Sequence, residues 1–261
     1  MSNNDLEKDF NLGGSVDRAL SGDYKLSIHE ILSEAFKVTV KHFVSFTPAV
    51  VLLVLLQAAI FYTALKLQVP DLTVYLQVVS DPNLLTPNLV WSFYIANFTY
   101  EVVSAPIYAG VCLMAMSHAA GLKTGTSFIG KGLQFTISVI LFTMLSLILQ
   151  AVSSQLFSVL SIYFSIALSH SILLICEKRM GIFQAMWVSI RATNKKLFQL
   201  FAIYAVCAAL FVMAFAFYGI GLIFVLPFFL HVKGILYRNM FGIKLTIVST
   251  SNDKSTKVFN A

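Results

Sequence analysis

The chain has 261 residues, of which 58% are hydrophobic and 11% charged, with a formal net charge of +6. Its mean hydropathy of +0.81 sets it apart from water-soluble domains, in which roughly 45–50% of residues are apolar. That excess excludes a soluble enzyme or binding module, and the basic balance does not indicate nucleic acid, because no solvated domain remains to carry a basic patch.

Residues 1–24 are polar and mixed in charge, and they predict a disordered tail, as do residues 249–261. Between them, residues 25–248 form one membrane domain. The first apolar run begins too late and runs too long for the core of a cleavable secretory signal, so the first span is expected to act as its own insertion signal. Ser27 and Glu30 have the spacing of a capping box, which starts a helix by satisfying its first amide donors. Ile28, Ile31, Ala35 and Val38 then give that helix an apolar side against Glu34, Lys37 and Lys41.

Six long apolar runs follow: Phe43 to Leu65, Trp91 to Met116, Leu133 to Val152, Gln155 to Cys176, Leu197 to Phe217 and Gly219 to Tyr237. Each is close to the ~20 residues a helix needs to cross a bilayer core. The fold class is therefore all-α, a polytopic integral membrane protein with six transmembrane helices. Between the first two spans, Gln68 to Asn88 holds three of the six prolines. Its Asp71-to-Val79 stretch reads as a short surface helix or an extended segment, and periodicity does not decide between them.

In the second span, Glu101 shares a helical face with Tyr94, Asn97, Ser104 and Tyr108. A carboxyl at that depth costs about 2.5 kcal/mol or more unless it is paired or protonated, which makes it a candidate intramembrane polar site. The bland alternative is a carboxyl hydrogen-bonded to neighbouring hydroxyls. Pro106 and Pro227 are expected to kink spans two and six, since each removes a backbone donor. Ala105 and Ala109 form a small pair beside Pro106.

Ser154, Ser158, Ser161, Ser165 and Ser169 recur at three- and four-residue steps. Small hydroxylated residues let helices approach closely, so this series is read as a packing seam of span four, with a lined polar path as the sharper alternative. His118, His170 and His231 lie at comparable depth in even-numbered spans. They could hold a metal or relay protons with Glu101, but no ligand spacing unites them, and they are read as satisfied histidines with no metal. Cys112, Cys176 and Cys207 lie in apolar helices and read as small core residues.

Gly121-Leu122-Lys123, Gly181-Ile182-Phe183 and Gly242-Ile243-Lys244 follow the even-numbered spans at intervals of 60 and 61 residues. The spacing suggests three repeated units, each an interfacial segment followed by a helical hairpin. In the third copy, Ile182, Met186, Trp187 and Ile190 are apolar and Arg191, Lys195 and Lys196 lead into span five, a composition suited to the headgroup region. The second copy, Thr126 to Gly132, is short and glycine-containing, closer to a turn. Of the eighteen Lys and Arg residues, only Lys66 falls on the far side of a six-span arrangement; Lys233 counts with the near-side set, in or after the end of span six. The positive-inside rule then puts both termini in the cytoplasm, facing anionic headgroups.

The run Ala105-Pro106-Ile107-Tyr108-Ala109-Gly110, the Ala185-to-Lys196 stretch, and Gly219-Ile220-Gly221-Leu222 followed by Leu226-Pro227 and Tyr237 resemble the bacterial six-span YciC-like inner-membrane proteins. They are also similar to the membrane domain attached to some glycerophosphodiester phosphodiesterases. The resemblance covers roughly Ser27 to Gly242 and implies a cytoplasmic-membrane location without phosphodiesterase chemistry. Leu160-Ser161-Ile162-Tyr163 replaces the Pro-Gly-Ile-Tyr-like break that many such proteins have, which argues against a kink there.

No catalytic motif and no cofactor fingerprint occurs, so the expected role is non-enzymatic, without catalytic residues or cofactors. The expected partners are membrane lipids, a membrane protein or a second copy of the chain, and not nucleic acid. The leading reading is an envelope or membrane-complex accessory component. The alternative is a carrier of a lipid or small solute that uses Glu101 in the bundle interior.

Overall fold

A computed structural model describes residues 6–249 and 256–260. The order is β1 (Leu6–Leu12), α1 (Val16–Ser21), α2 (Ile28–Gln68), α3 (Thr73–Ser80), α4 (Pro87–Ala119), a 3-10 segment (Thr126–Phe135), α5 (Thr136–Leu156), α6 (Ser158–Ala167), α7 (Ser171–Glu177), α8 (Ile182–Lys195), α9 (Leu197–Ala216), α10 (Leu222–Phe241), β2 (Ile243–Ser249) and β3 (Thr256–Asn260), with a 3-10 turn at Pro82–Leu84. Six helical stretches are long and apolar enough to cross a membrane, with α6 and α7 together making the fourth and the 3-10 segment continuing into α5 as the third. The protein is a multi-pass, all-α membrane protein.

α4 is the central helix. In its most apolar window 78% of residues are buried inside the protein, against 22% for α2 and for α9. α2 buries one stripe, Ile31, Ala35, Thr39, His42, Phe46, Ala49, Val50 and Leu53, at the three- and four-residue steps of a single helix face. Its other faces leave apolar side chains such as Val44 and Leu55 exposed, as a lipid-facing helix requires. α10 lies against α4 so closely that a Cβ at Gly234 would stand 2.8 Å from the Ala115 carbonyl oxygen.

The repeat takes an uneven form. At 41 residues, α2 is about 60 Å long, roughly twice the ~30 Å hydrocarbon core, so its first turns continue span one instead of forming a separate interfacial helix. Ser27 is the N-cap, but its side chain makes no capping hydrogen bond, so the capping box does not form. The second copy is a full ten-residue 3-10 segment, seated against α4 where Gly110 and Gly132 have no side chain to collide with the Ile129 and Pro106 carbonyls. The third copy is the amphipathic helix α8. α3 resolves the Asp71-to-Val79 ambiguity as a helix, held at its start by Asp71 Oδ1, which accepts from the Thr73 amide at 3.0 Å.

Span four stays helical through Leu160–Tyr163 but breaks at 168–170, between α6 and α7. Three prolines sit inside helices, Pro48 in α2 as well as Pro106 and Pro227, and none ends its helix.

The terminal segments depart from the expected disordered tails. Residues 6–24 hold β1 and α1, and β2 is paired antiparallel with both β1 and β3. Ala19 and Tyr24 are buried, and the Tyr24 hydroxyl donates to the Ala192 carbonyl at 2.7 Å. Burial pushes that phenol up to about 12. The Lys196 ammonium donates to the Tyr24 carbonyl, fastening the same segment to the end of α8. The polar composition of these residues hides a small number of buried anchors. Residues 1–5, 250–255 and 261, also expected in the tails, lie outside the described residues.

Candidate ligand site in the bundle interior

Glu101, Ser104 and Tyr108 lie on one face of α4 at steps of three and four residues, and all three line an interior cavity of about 240 Å³. Tyr100 of α4, Gln57 of α2, Thr143, Ser146 and Gln150 of α5, Ser165 of α6, Ser169 between α6 and α7, and Lys233 of α10 complete its polar wall. The expected stripe therefore divides. Tyr94 is exposed and packs edge-on against Trp91, and Asn97 does not reach the cavity.

Ser104 is buried and accepts from the Gln57 side-chain amide at 3.1 Å. Glu101 is half-buried and makes no hydrogen bond or ion pair with any described residue, so the hydroxyl-satisfied carboxyl expected as the bland alternative does not occur.

Lys233 corrects the charge count. It is turned into the bundle, 9% exposed and eight residues before the end of α10. Its ammonium donates to the Tyr108 hydroxyl at 2.6 Å, and it lies 5.8 Å from the centre of the Phe229 ring. No carboxylate of a described residue is within ion-pair distance of it. A lysine flanked by Val232, Gly234 and Ile235 was a visible signal, since a cation inside an apolar run faces either protein or a cavity.

The serine series also changes character. Ser154 belongs to α5 and is exposed, and Ser158 is exposed at the start of α6. Ser161, Ser165 and Ser169 do not form a closed helix seam; they line a second cavity of about 780 Å³, with Ser165 exposed. Its remaining wall is Ile162 and Ile166 of α6, Phe201, Tyr204, Ala205 and Ala208 of α9, and Phe229 of α10. α6 and α9 touch at few positions, which leaves the cleft between them. The Tyr204 hydroxyl donates to Ser169 Oγ at 3.0 Å. Tyr108, Gln150, Ser165, Ser169 and Lys233 belong to both cavities, so a broad, mainly apolar cleft continues into a narrower polar end. The larger volume falls in the ~300–1,000 Å³ range of small-molecule sites.

A second polar group lies closer to the loop after α4. His118 and His231 meet there, together with His42 of α2, while His170 stands apart against Phe241 and Ser169. The donor order can be assigned. Thr39 donates to the Ala35 carbonyl at 2.7 Å, so it accepts from His231 Nδ1 at 3.0 Å. With both rings neutral, His231 Nε2 then accepts from His118 Nδ1 at 3.0 Å, and His118 Nε2 accepts from the Thr124 hydroxyl at 2.8 Å. His42 stacks on His118 at 4.0 Å between ring centres. The chain ends on a helix carbonyl and does not extend to Glu101. Among the described residues no group of three His, Cys, Asp or Glu side chains is placed to hold a metal. This cluster joins α2, α4 and α10. Thr39, His42 and Thr124 were not legible as its members, because two are isolated polar residues on α2 and the third is in a loop.

Beside it, the Arg238 guanidinium pairs with both Glu34 carboxylate oxygens, at 2.6 and 2.8 Å, and donates to the Ala119 carbonyl at 2.8 Å. The three helices are thus clamped at one end and open around the cavities. No protein-family model, curated protein or solved structure matches this chain.

Proposed function

We propose that this protein is a non-enzymatic, multi-pass component of a bacterial cytoplasmic membrane that takes an amphiphilic ligand, a lipid or lipid-like solute, into the bundle interior and carries or presents it. The observation that supports this reading is the joined pair of cavities: an apolar cleft between α6 and α9, about 780 Å³, that ends on the polar wall containing Lys233, Tyr108 and Glu101. An acyl chain suits the first part and a polar head the second. The carrier reading ranks ahead of an accessory packing role. A component selected only for packing gains nothing from a chamber that sets a buried lysine and a half-buried glutamate on one polar wall with no ion-pair partner, an arrangement that is costly unless something pairs with them. The distribution of Lys and Arg supports cytoplasmic termini, and the YciC-like motifs support the inner membrane.

Ser165 lines both cavities and is itself exposed. Ser165→Trp is expected to fill the junction and remove co-purified lipid, observed by native mass spectrometry after release from native-lipid nanodiscs, while the melting temperature in detergent stays near wild type. Equal retention of the same lipids in a folded Ser165→Trp protein would reject the chamber as the site.

A further inference from the structure

We infer that the polar end of the chamber selects a zwitterion, a ligand head that carries an ammonium and an acidic group a short bridge apart, in preference to a purely anionic head. This rests on the amphiphile-binding reading above and specifies its ligand class.

Among the described residues, Glu101 and Lys233 are the only Asp, Glu, Lys or Arg residues lining either cavity. They have opposite sign, and they are not within ion-pair distance of each other or of any other charged described residue. Lys233 makes a single hydrogen bond, to Tyr108, which leaves ammonium donors for a ligand. Glu101 makes none. An ionisable side chain taken out of water holds its charge when something pairs with it, and here buried Lys233 and half-buried Glu101 each lack a counter-charge while sharing one cavity. A ligand with both signs satisfies both. An anionic head satisfies Lys233 and leaves Glu101 facing like charge.

The separation sets the size of the head. Tyr108, which holds the Lys233 ammonium, is seven residues after Glu101 on the same helix face. Two turns of helix rise about 10 Å. Taken along the helix axis, that rise less two charge-assisted hydrogen bonds of about 2.8 Å each corresponds to a ligand with roughly 5 Å between its cationic and acidic centres. An amine and a phosphate joined by a two-carbon bridge have that reach; the ammonium goes to Glu101 and the phosphate to Lys233 and Tyr108. Ser104, Ser146 and Gln57 provide neutral hydrogen-bonding groups alongside. The same chemistry occurs in an aminophospholipid and in a free aminoalkyl phosphate, and the apolar cleft favours the lipid.

The test uses the full-length protein, delipidated in detergent and titrated with phosphatidylethanolamine or phosphatidylglycerol of identical acyl chains, with occupancy read by native mass spectrometry. Soluble phosphoethanolamine is added as competitor. Wild type is expected to favour the ethanolamine lipid by about tenfold or more, the size of one charge-assisted contact. Glu101→Gln, nearly isosteric and therefore gentle on folding, is expected to reduce that preference to about twofold by the same measure without weakening phosphatidylglycerol binding. Lys233→Gln should weaken both lipids. Displacement by phosphoethanolamine at concentrations matching the lipid would support the zwitterion and assign it to a free solute. Equal affinity for the two lipids in wild type, or an intact preference in Glu101→Gln, would overturn the inference while leaving amphiphile binding in place. Binding of neither lipid, and of no phosphoethanolamine, would overturn both.

Discussion

A single carboxylate, Glu177, joins three parts of the chain next to the sheet. Oε2 accepts from the buried Tyr237 hydroxyl at 2.7 Å, and Oε1 accepts from the Lys178 ammonium at 3.1 Å and the Lys244 amide at 2.9 Å. The end of α7 is thereby tied to α10 and to the start of β2. In Glu177→Ala, the Tyr237 hydroxyl keeps only its long 3.5 Å contact to the Leu173 carbonyl. Stranding such a buried group costs about 1–3 kcal/mol, and a lower melting temperature in detergent is the expected result. An unchanged one would remove Glu177 from this role. The histidine chain is testable at the same scale. Nitrogen-15 NMR of histidine-labelled protein at neutral pH should find His118 and His231 both protonated on Nδ1. An Nε2-protonated His231 would contradict the donor order from Thr124 to Ala35. Sequence placed Glu101 and His118 among candidates because polar residues inside apolar runs are conspicuous one at a time. Lys233 is equally conspicuous, yet sequence alone sets it near the end of span six, because residue numbering gives depth to within a turn or two and not the direction of a side chain.

Among the elements, the 3-10 segment Thr126–Phe135 depends on two glycines set where backbone meets backbone. Gly110 on α4 faces the Ile129 carbonyl, and Gly132 faces the Pro106 carbonyl. Gly132→Leu must push the segment off α4, at about 1–3 kcal/mol or more for the overpacked contact. Loss of thermal stability that Gly130→Leu does not reproduce is the expected pattern, since a Cβ at Gly130 meets nothing. Similar losses from both substitutions would argue against the close seat. The six spans were readable because apolar length is a local property. The seat of this segment was not, because Gly-x-Gly in a short connection reads the same whether it is a turn or a docking surface. The serine series shows a related limit. Its spacing was visible, but periodicity describes a face and not what lies opposite it, and α9 stands away from Ser161 and Ser165 instead of closing on them.

At the scale of the whole molecule, the bundle is tight at one end and open beside it. Arg238, Glu34 and the histidine chain hold α2, α4 and α10 together, and the sheet and α1 cover the same end. Away from it, α2, α4, α5, α6, α7, α9 and α10 line the joined cavities. This division could not be derived from one chain, since seven helices must converge before a chamber exists. The terminal segments stayed hidden for another reason: their composition is that of solvated tails, and their order comes from contacts with α8 and α10 made at few positions.

The most direct measurement is a structure of the protein in nanodiscs made from native lipid, at a resolution that resolves bound acyl chains. The chamber account predicts elongated density in the cleft between α6 and α9, with its polar end within hydrogen-bond distance of the Lys233 ammonium and the Tyr108 hydroxyl. A cleft closed by direct contact of Ser161 and Ser165 with Ala205 and Ala208, with lipid only on the outer surface, would contradict it.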